Sequence, residues 1–289
     1  MTQIAIISGK GGTGKSSITA AFATLDGQVV VADCDVDAAN LYLLFKPDIE
    51  EEEAFTSGHK AVINNDLCTV CGFCIDKCRF DAISLEDKIV TIDEISCEGC
   101  FLCARICPEN AISMIPDNGS RLYSGTFRNG WMVYGRLAPG EENTGKLVNS
   151  VREKAKQISA KHNIDVIVLD GPPGIGCPVI STVTGVDKVI IVTEPTISGL
   201  LDFERAAEIV LKSGHKPIVI INKWDLNPLM TNQIRDLCLQ KNITIAGLLP
   251  FDSIVVEAMV REKTITEFES ENEISTELRR IWNYILNNN

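Results

Sequence analysis

Along the chain, unbroken apolar runs alternate with stretches in which apolar positions recur every three or four residues. "QIAIIS" (3–8), "QVVVAD" (28–33), "IDVIVLD" (164–170), "DKVIIVTE" (187–194), "KPIVIINK" (216–223) and "TIAGLLP" (244–250) each read as a short strand. Runs of Val and Ile without polar alternation mark strands covered by helices on both faces. The segments between them are helix-length and amphipathic, beginning with 14–25. This rhythm predicts a doubly wound, mostly parallel α/β sheet. It breaks once, between about 60 and 117, where cysteines cluster. Just beyond, "RLYSGTFRNGWMVYGRL" (121–137) alternates about Asn129-Gly130 and predicts a hairpin where the interruption rejoins the sheet. The closing stretch "ISTELRRIWNYIL" is amphipathic around Trp282. With two basic residues and one acid it is expected to pack on the core rather than on a membrane surface.

Composition narrows the class. A chain of 289 residues, 45% hydrophobic and 23% charged, suits one large core and one small one. Thirty-nine acidic against 27 basic residues, a net charge of −12, argue against a general nucleic-acid binder. The opening "MTQIAIIS" has no basic leader, and no apolar run is long enough to span a bilayer, so a cytoplasmic location without a transmembrane segment is expected. Eleven cysteines in such a chain point to metal rather than disulfides. His59, His162 and His215 are scattered and form no ligand spacing, and Glu50 to Glu53 reads as a solvated linker.

"GKGGTGKS" (9–16) satisfies G-x-x-x-x-G-K-[ST] between an expected strand and an expected helix. Glycines let backbone N–H groups turn toward phosphate oxygens, and the helix N-terminus adds its dipole. Gly9, Gly11, Gly12, Thr13 and Gly14 would form the cradle, with Lys15 on the β- and γ-phosphates, Ser16 on Mg²⁺ and Ser17 beside it. Lys10 is an extra feature, and through it "KGGTGKSS" resembles the deviant Walker A motif of the MinD/ParA family of P-loop ATPases. The resemblance implies that Lys10 reaches across a nucleotide-dependent homodimer to the partner's nucleotide. It further implies, on "VVADCDVDAAN", that Asp33 supports Mg²⁺ and Asp35 orients the attacking water. On "VIVLDGPPGIG" it implies that Asp170 is the Walker B acid and that 171–174 form a loop sensing the γ-phosphate. "INKWD" (221–225) matches N-K-x-D, so Asn222, Lys223 and Asp225 are candidate base-side residues that raise GTP as an alternative. Pro250, in "LPFD", resembles the family's adenine-side loop, and ATP is preferred. Asp225 has a second reading as the cap of a helix near Leu226.

Cys68, Cys71, Cys74 and Cys78 are spaced C-x2-C-x2-C-x3-C, and Cys97, Cys100, Cys103 and Cys107 repeat the spacing, followed by Pro108. This is the run of bacterial two-cluster ferredoxins, in which the fourth cysteine ligates the other cluster. One [4Fe-4S] cluster would use Cys68, Cys71, Cys74 and Cys107, the other Cys97, Cys100, Cys103 and Cys78. The flanks "CRFDAISL" and "CPENAISM" extend the repeat and imply a pseudo-symmetric βαβ pair. Zinc sites more often pair two C-x2-C knuckles. Arg79 stands where the run usually has proline. Cys34 and Cys238 read as buried hydrophobes, whereas Cys177, after the 171–174 loop, is a candidate ligand for a transient metal.

The expected architecture is a P-loop ATPase domain in two parts, 1–55 and 120–289, interrupted by an α+β ferredoxin-like domain over 60–117. The expected function is a dimeric ATPase, slow without a partner, that binds ATP, Mg²⁺ and two [4Fe-4S] clusters. It would serve electron transfer or metallocofactor assembly with a redox or assembly partner protein. The alternative is a MinD/ParA-like positioning switch whose clusters are structural or redox-sensing.

Overall fold

Strands rich in Val and Ile sit at the centre of the molecule because β-branched residues pack well on a pleated surface covered from both sides. The structure, a computed structural model, describes residues 1–288 apart from 26, 57, 129 and 139–143. In chain order the first elements are β1 (Thr2–Ser8), α1 (Lys15–Ala23), β2 (Val29–Asp33), α2 (Leu41–Phe45), β3 (Asp48–Phe55), β4 (Gly58–Ile63), α3 (Phe73–Lys77), β5 (Ile83–Glu86), β6 (Ile89–Ile92), α4 (Leu102–Ile106), β7 (Ile112–Asp117), β8 (Ser120–Phe127) and β9 (Gly130–Arg136). There follow α5 (Thr144–His162), β10 (Val166–Pro173), α6 (Cys177–Val183), β11 (Lys188–Thr193), α7 (Ile197–Lys212), β12 (Ile218–Asn222), α8 (Pro228–Gln240), β13 (Thr244–Leu249), α9 (Ile254–Val260), α10 (Ile265–Phe268) and α11 (Glu273–Asn287).

Two compact units emerge, one of residues 1–52, 122–135 and 144–289, the other of 53–121 and 136–143. The first is built on a sheet that, among the described residues, runs β13-β12-β11-β1-β10-β2-β9-β8-β3. All pairs from β13 to β9 are parallel. Register aligns Ile6 with Asp170 and Asp170 with Asp33, so the two acids lie side by side on neighbouring strands. On one face α1 and α11 pack together, with Phe22 stacked on Trp282 at 4.9 Å between ring centroids. Ile274, Leu278, Ile281, Trp282 and Ile285 are all buried, which places the C-terminal helix on the core as its period requires. Each such side chain contributes about 1.5–3 kcal/mol by leaving water.

Two local expectations change. Gly171 to Pro173 continue β10 as strand before the chain turns at Gly174, because β1 still offers Ser8 as a ladder partner opposite Pro173. Glu50 to Glu53 are not linker but the middle of β3, the last strand of the sheet, with Asp48 to Ala54 exposed. Glu51 is ion-paired with Lys154 of α5. The hairpin expected at 121–137 forms as the neighbours β8 and β9; of its turn, Asn129 lies outside the described residues.

The second unit contains two two-stranded antiparallel ladders, β4 with β7 and β5 with β6. Its halves are β4-α3-β5 and β6-α4-β7, so the outer ladder joins the first strand of one half to the last strand of the other. Among the described residues no helix is long and apolar enough to cross a membrane.

Candidate nucleotide site and cysteine hollows

At the carboxyl end of β1 the chain enters the glycine loop with Gly12 at φ 81° and Gly14 at φ 90°, a region that side-chain-bearing residues rarely occupy. A Cβ on Gly14 would lie 2.3 Å from Nδ2 of Asn222, which itself donates to the Thr13 carbonyl at 2.8 Å. Gly14→Ala is therefore expected to cost about 1–3 kcal/mol through backbone strain, beyond the clash. It should also abolish nucleotide binding, as calorimetric titration would show.

Lys15 emerges at the first turn of α1 and is 6% exposed, with Nζ 3.0 Å from Asp170 Oδ1. The hydroxyls of Ser16 and Thr19 each donate to Asp170 at 2.7 Å. Asp170 is fully buried in the last half of β10, so one carboxylate gathers the lysine and the hydroxyls of Ser16 and Thr19. Asp33, fully buried on the adjacent strand, accepts from the N–H groups of Asp35, Asn40 and Leu41. Burial, seconded by the charge of Asp170 and opposed by Lys15, pushes Asp33 up to about 7. Burial likewise raises Asp35, offset by Lys15. A carboxyl whose folded pKa is raised adds stability that is complete below its unfolded value and is lost as pH rises through about 7. Asp33→Asn should thus flatten the decline in ligand-free stability between pH 5 and 8, followed by denaturant melts across that range.

The other end of the site is held by Glu194, immediately after β11. Lys10 Nζ lies 2.7 Å from Glu194 Oε1 and donates to the hydroxyls of Thr196 and Ser198 at 3.0 Å. Lys223 Nζ lies 2.9 Å from Glu194 Oε2 and donates to the Gly12 carbonyl at 2.9 Å. Burial works to raise Glu194, but the hydrogen bonds from Lys10 and Lys223 prevail and hold its carboxyl below the ordinary range. Glu194 is not among the residues expected from the motifs, although it carries the same signal as Asp33 and Asp170, an acid closing an apolar run.

Beside the loop opens a largely apolar cavity of about 210 Å³. Gly12, Gly14, Ser17, Asn222, Lys223 and Pro250 border it, together with side chains of α9. Asp225 stands outside this lining, and its carboxylate accepts the Phe251 N–H at 2.7 Å. Nor does it cap the next helix: α8 begins at Pro228, and Asn227 accepts from Met230 instead. Gly9 and Gly11 complete the loop, and a Cβ on Gly9 would meet the Asp202 backbone at 2.3 Å. Cys34 and Cys238 are buried, whereas Cys177 is exposed at the start of α6.

In the second unit the two cysteine runs share a backbone design. Val70 and Gly72 in the first, and Gly99 and Phe101 in the second, all have positive φ, at matching places in the motif. These left-handed turns curl each run around a hollow. One hollow is lined by Cys68, Cys71, Cys74 and Cys107, and the other by Cys97, Cys100, Cys103 and Cys78, with Cys74 bordering that one also. Among the described residues no three His, Cys, Asp or Glu side chains converge tightly enough to hold a single metal ion.

Comparison with known proteins places the chain in a family. The model of the CobQ/CobB/MinD/ParA nucleotide-binding domain matches residues 4–265. Protein MJ0578 of Methanocaldococcus jannaschii is 38% identical over 229 residues, 78% of this chain and 79% of its own length. Hydrogenase-4 component A of Escherichia coli is 39% identical over 70 residues, 24% of this chain and 33% of its own. The septum site-determining protein MinD of Pyrococcus horikoshii, solved with Mg-ADP, superposes with a TM-score of 0.58 at 19% identity. That match covers 98% of this chain and 95% of the other, and shares the mostly parallel sheet. A buried Lys15–Asp170 pair under a glycine loop, on that sheet and under that domain match, makes this chain a member of the CobQ/CobB/MinD/ParA nucleotide-binding family.

Proposed function

We propose that the protein is an ATP-binding and hydrolysing iron–sulfur protein, a nucleotide-switched dimer whose two [4Fe-4S] clusters serve electron transfer or metallocofactor assembly. The observation that carries this reading is the crossed lining of the two hollows, each bordered by the first three cysteines of one run and the fourth of the other, with Cys74 bordering both. The donor set fits the group. All eight residues are thiols, and each set surrounds a space instead of meeting at a point. A zinc ion would draw four sulfurs to about 2.3 Å from one centre; a cubane holds them apart at its corners. When bound, such clusters supply one-electron transfer.

On the nucleotide side, Lys15 would exchange Asp170 for the β- and γ-phosphates. Ser16 and Asp170 would then hold Mg²⁺, with Asp33 supporting them from the neighbouring strand. Asp35 would orient the attacking water, and Lys10 would act on the partner's nucleotide. The apolar cavity beside Pro250 suits adenine, and Asp225 stands outside its lining with one carboxylate oxygen accepting the Phe251 N–H. A second reading, a positioning switch with structural or sensing clusters, draws on the fold likeness to MinD, one example of which is solved as a MinC:MinD complex from Aquifex aeolicus.

The test is an anaerobic redox titration followed by EPR, without nucleotide, with ADP and with a nonhydrolysable ATP analogue. A midpoint shift of about 30 mV or more between states, at ~59 mV per tenfold for one electron, would support coupling. Two cubane signals that titrate identically in all three states would favour the positioning switch. Protein that binds no iron under reconstitution would refute the cluster assignment.

A further inference from the structure

Glu194 holds together two lysines whose expected tasks lie elsewhere. Its two oxygens are divided between them, Oε1 to Lys10 and Oε2 to Lys223, and its side chain is 13% exposed. Lys10 has two further acceptors, the hydroxyls of Thr196 and Ser198, on the same short segment that opens α7. Thr196 is itself the N-cap of that helix and accepts from Gly199 N–H at 2.9 Å, so the segment is rigidly placed. Lys223, with φ 55°, stands on a strand end and ties the same carboxylate to the Gly12 carbonyl of the loop. The lysine read as acting in trans is thus fully occupied in cis.

We infer that Glu194 is a positioning residue that holds Lys10 on its own subunit, so that Lys10 reaches a second copy only after leaving Glu194, Thr196 and Ser198. The inference rests on the trans reading of Lys10. Leaving costs an ion pair and two hydrogen bonds in a partly buried setting, which opposes association until an incoming polyphosphate repays the lysine with new negative charge. The latch therefore sets how much nucleotide is needed to pair two subunits. Lys223 stays behind as the counter-ion of Glu194, which keeps the released carboxylate from standing alone beside the phosphate loop.

The experiment has two independent readouts on the full chain. First, the amine of Lys10 is labelled in the ligand-free protein with a limiting acylating reagent and quantified by mass spectrometry. Glu194→Gln is expected to raise Lys10 labelling about fivefold, the order expected for a freed, partly buried pair. Second, self-association with a nonhydrolysable ATP analogue is followed by sedimentation for Glu194→Gln, Lys10→Ala and the double variant. Association should tighten in Glu194→Gln and not respond to that change in the Lys10→Ala background, since coupled residues depart from additivity. Unchanged Lys10 labelling overturns the latch. Weaker association in Glu194→Gln, or an equal effect with and without Lys10, overturns it as well. Raised labelling together with a Lys10→Ala protein that associates like the parent leaves the cis contact standing and refutes instead the trans reading on which the gating depends.

Discussion

Replacing Asp170 with alanine is expected to unfold much of the ligand-free protein and to end turnover. Its carboxylate is the counter-ion of Lys15, which is only 6% exposed, and it accepts the hydroxyls of Ser16 and Thr19. Removing one partner of a buried pair leaves the other charge without compensation, at a cost of about 3–5 kcal/mol. That is a large part of the ~5–15 kcal/mol by which ordinary domains are stable. Asp170→Asn keeps the shape and an oxygen to accept one of the two hydroxyls, so it separates the roles: the fold should recover in part while turnover stays at least about a hundredfold down, the scale of losing a positioned charge. Thermal melts with and without Mg-ATP supply the check. Added nucleotide should restore more stability to the alanine variant than to the parent, because phosphate then faces Lys15. A ligand-free melting temperature within roughly a degree of the parent would remove the pair from the account of this site.

The second large effect concerns the crossed cysteines. Cys107→Ser should empty the hollow lined by Cys68, Cys71 and Cys74, although Cys107 belongs to the other run. Cys78→Ser should empty the hollow of Cys97, Cys100 and Cys103. Each variant should retain about four of eight irons under anaerobic reconstitution, the content of one cubane. Pairing each serine change with a second in either run decides the wiring. Cys107→Ser with Cys71→Ser should lose no more iron than Cys107→Ser alone, whereas Cys107→Ser with Cys100→Ser should lose all of it. The reverse pattern would assign each run its own cluster and contradict the lining seen here.

Much of this was legible in the sequence, and the exceptions have physical causes. The parallel sheet could be read because strands buried on both faces show no alternation, and α11 because its apolar period is helical. The Lys15–Asp170 meeting was legible only as two motifs, since nothing local says that β10 lies next to β1. Glu194 was missed for the same reason: its significance comes from Lys10, 184 positions earlier, and from Lys223 on the adjacent strand. As a helix cap Asp225 was misplaced, because the cap of α8 went to Asn227 and the Asp225 carboxylate accepts a backbone N–H of Phe251. The strand at Asp48–Phe55 was hidden by composition. Four glutamates in succession have poor strand propensity, and pairing with β8 overrode it.

That last strand has a consequence for the protein in solution. A sheet that stops on a bare ribbon invites the next molecule to add its own strand. Here any chain that approached the outer side of β3 would bring its backbone against Glu50, Glu51, Glu52 and Glu53, all exposed. The negative charge of this run, of which Glu51 is paired with Lys154, repels a like edge and opposes growth of the sheet end to end. The safeguard is one of charge alone. A chain in which Glu50 and Glu52 are glutamines should then turn turbid at a lower protein concentration than the native chain at the same pH.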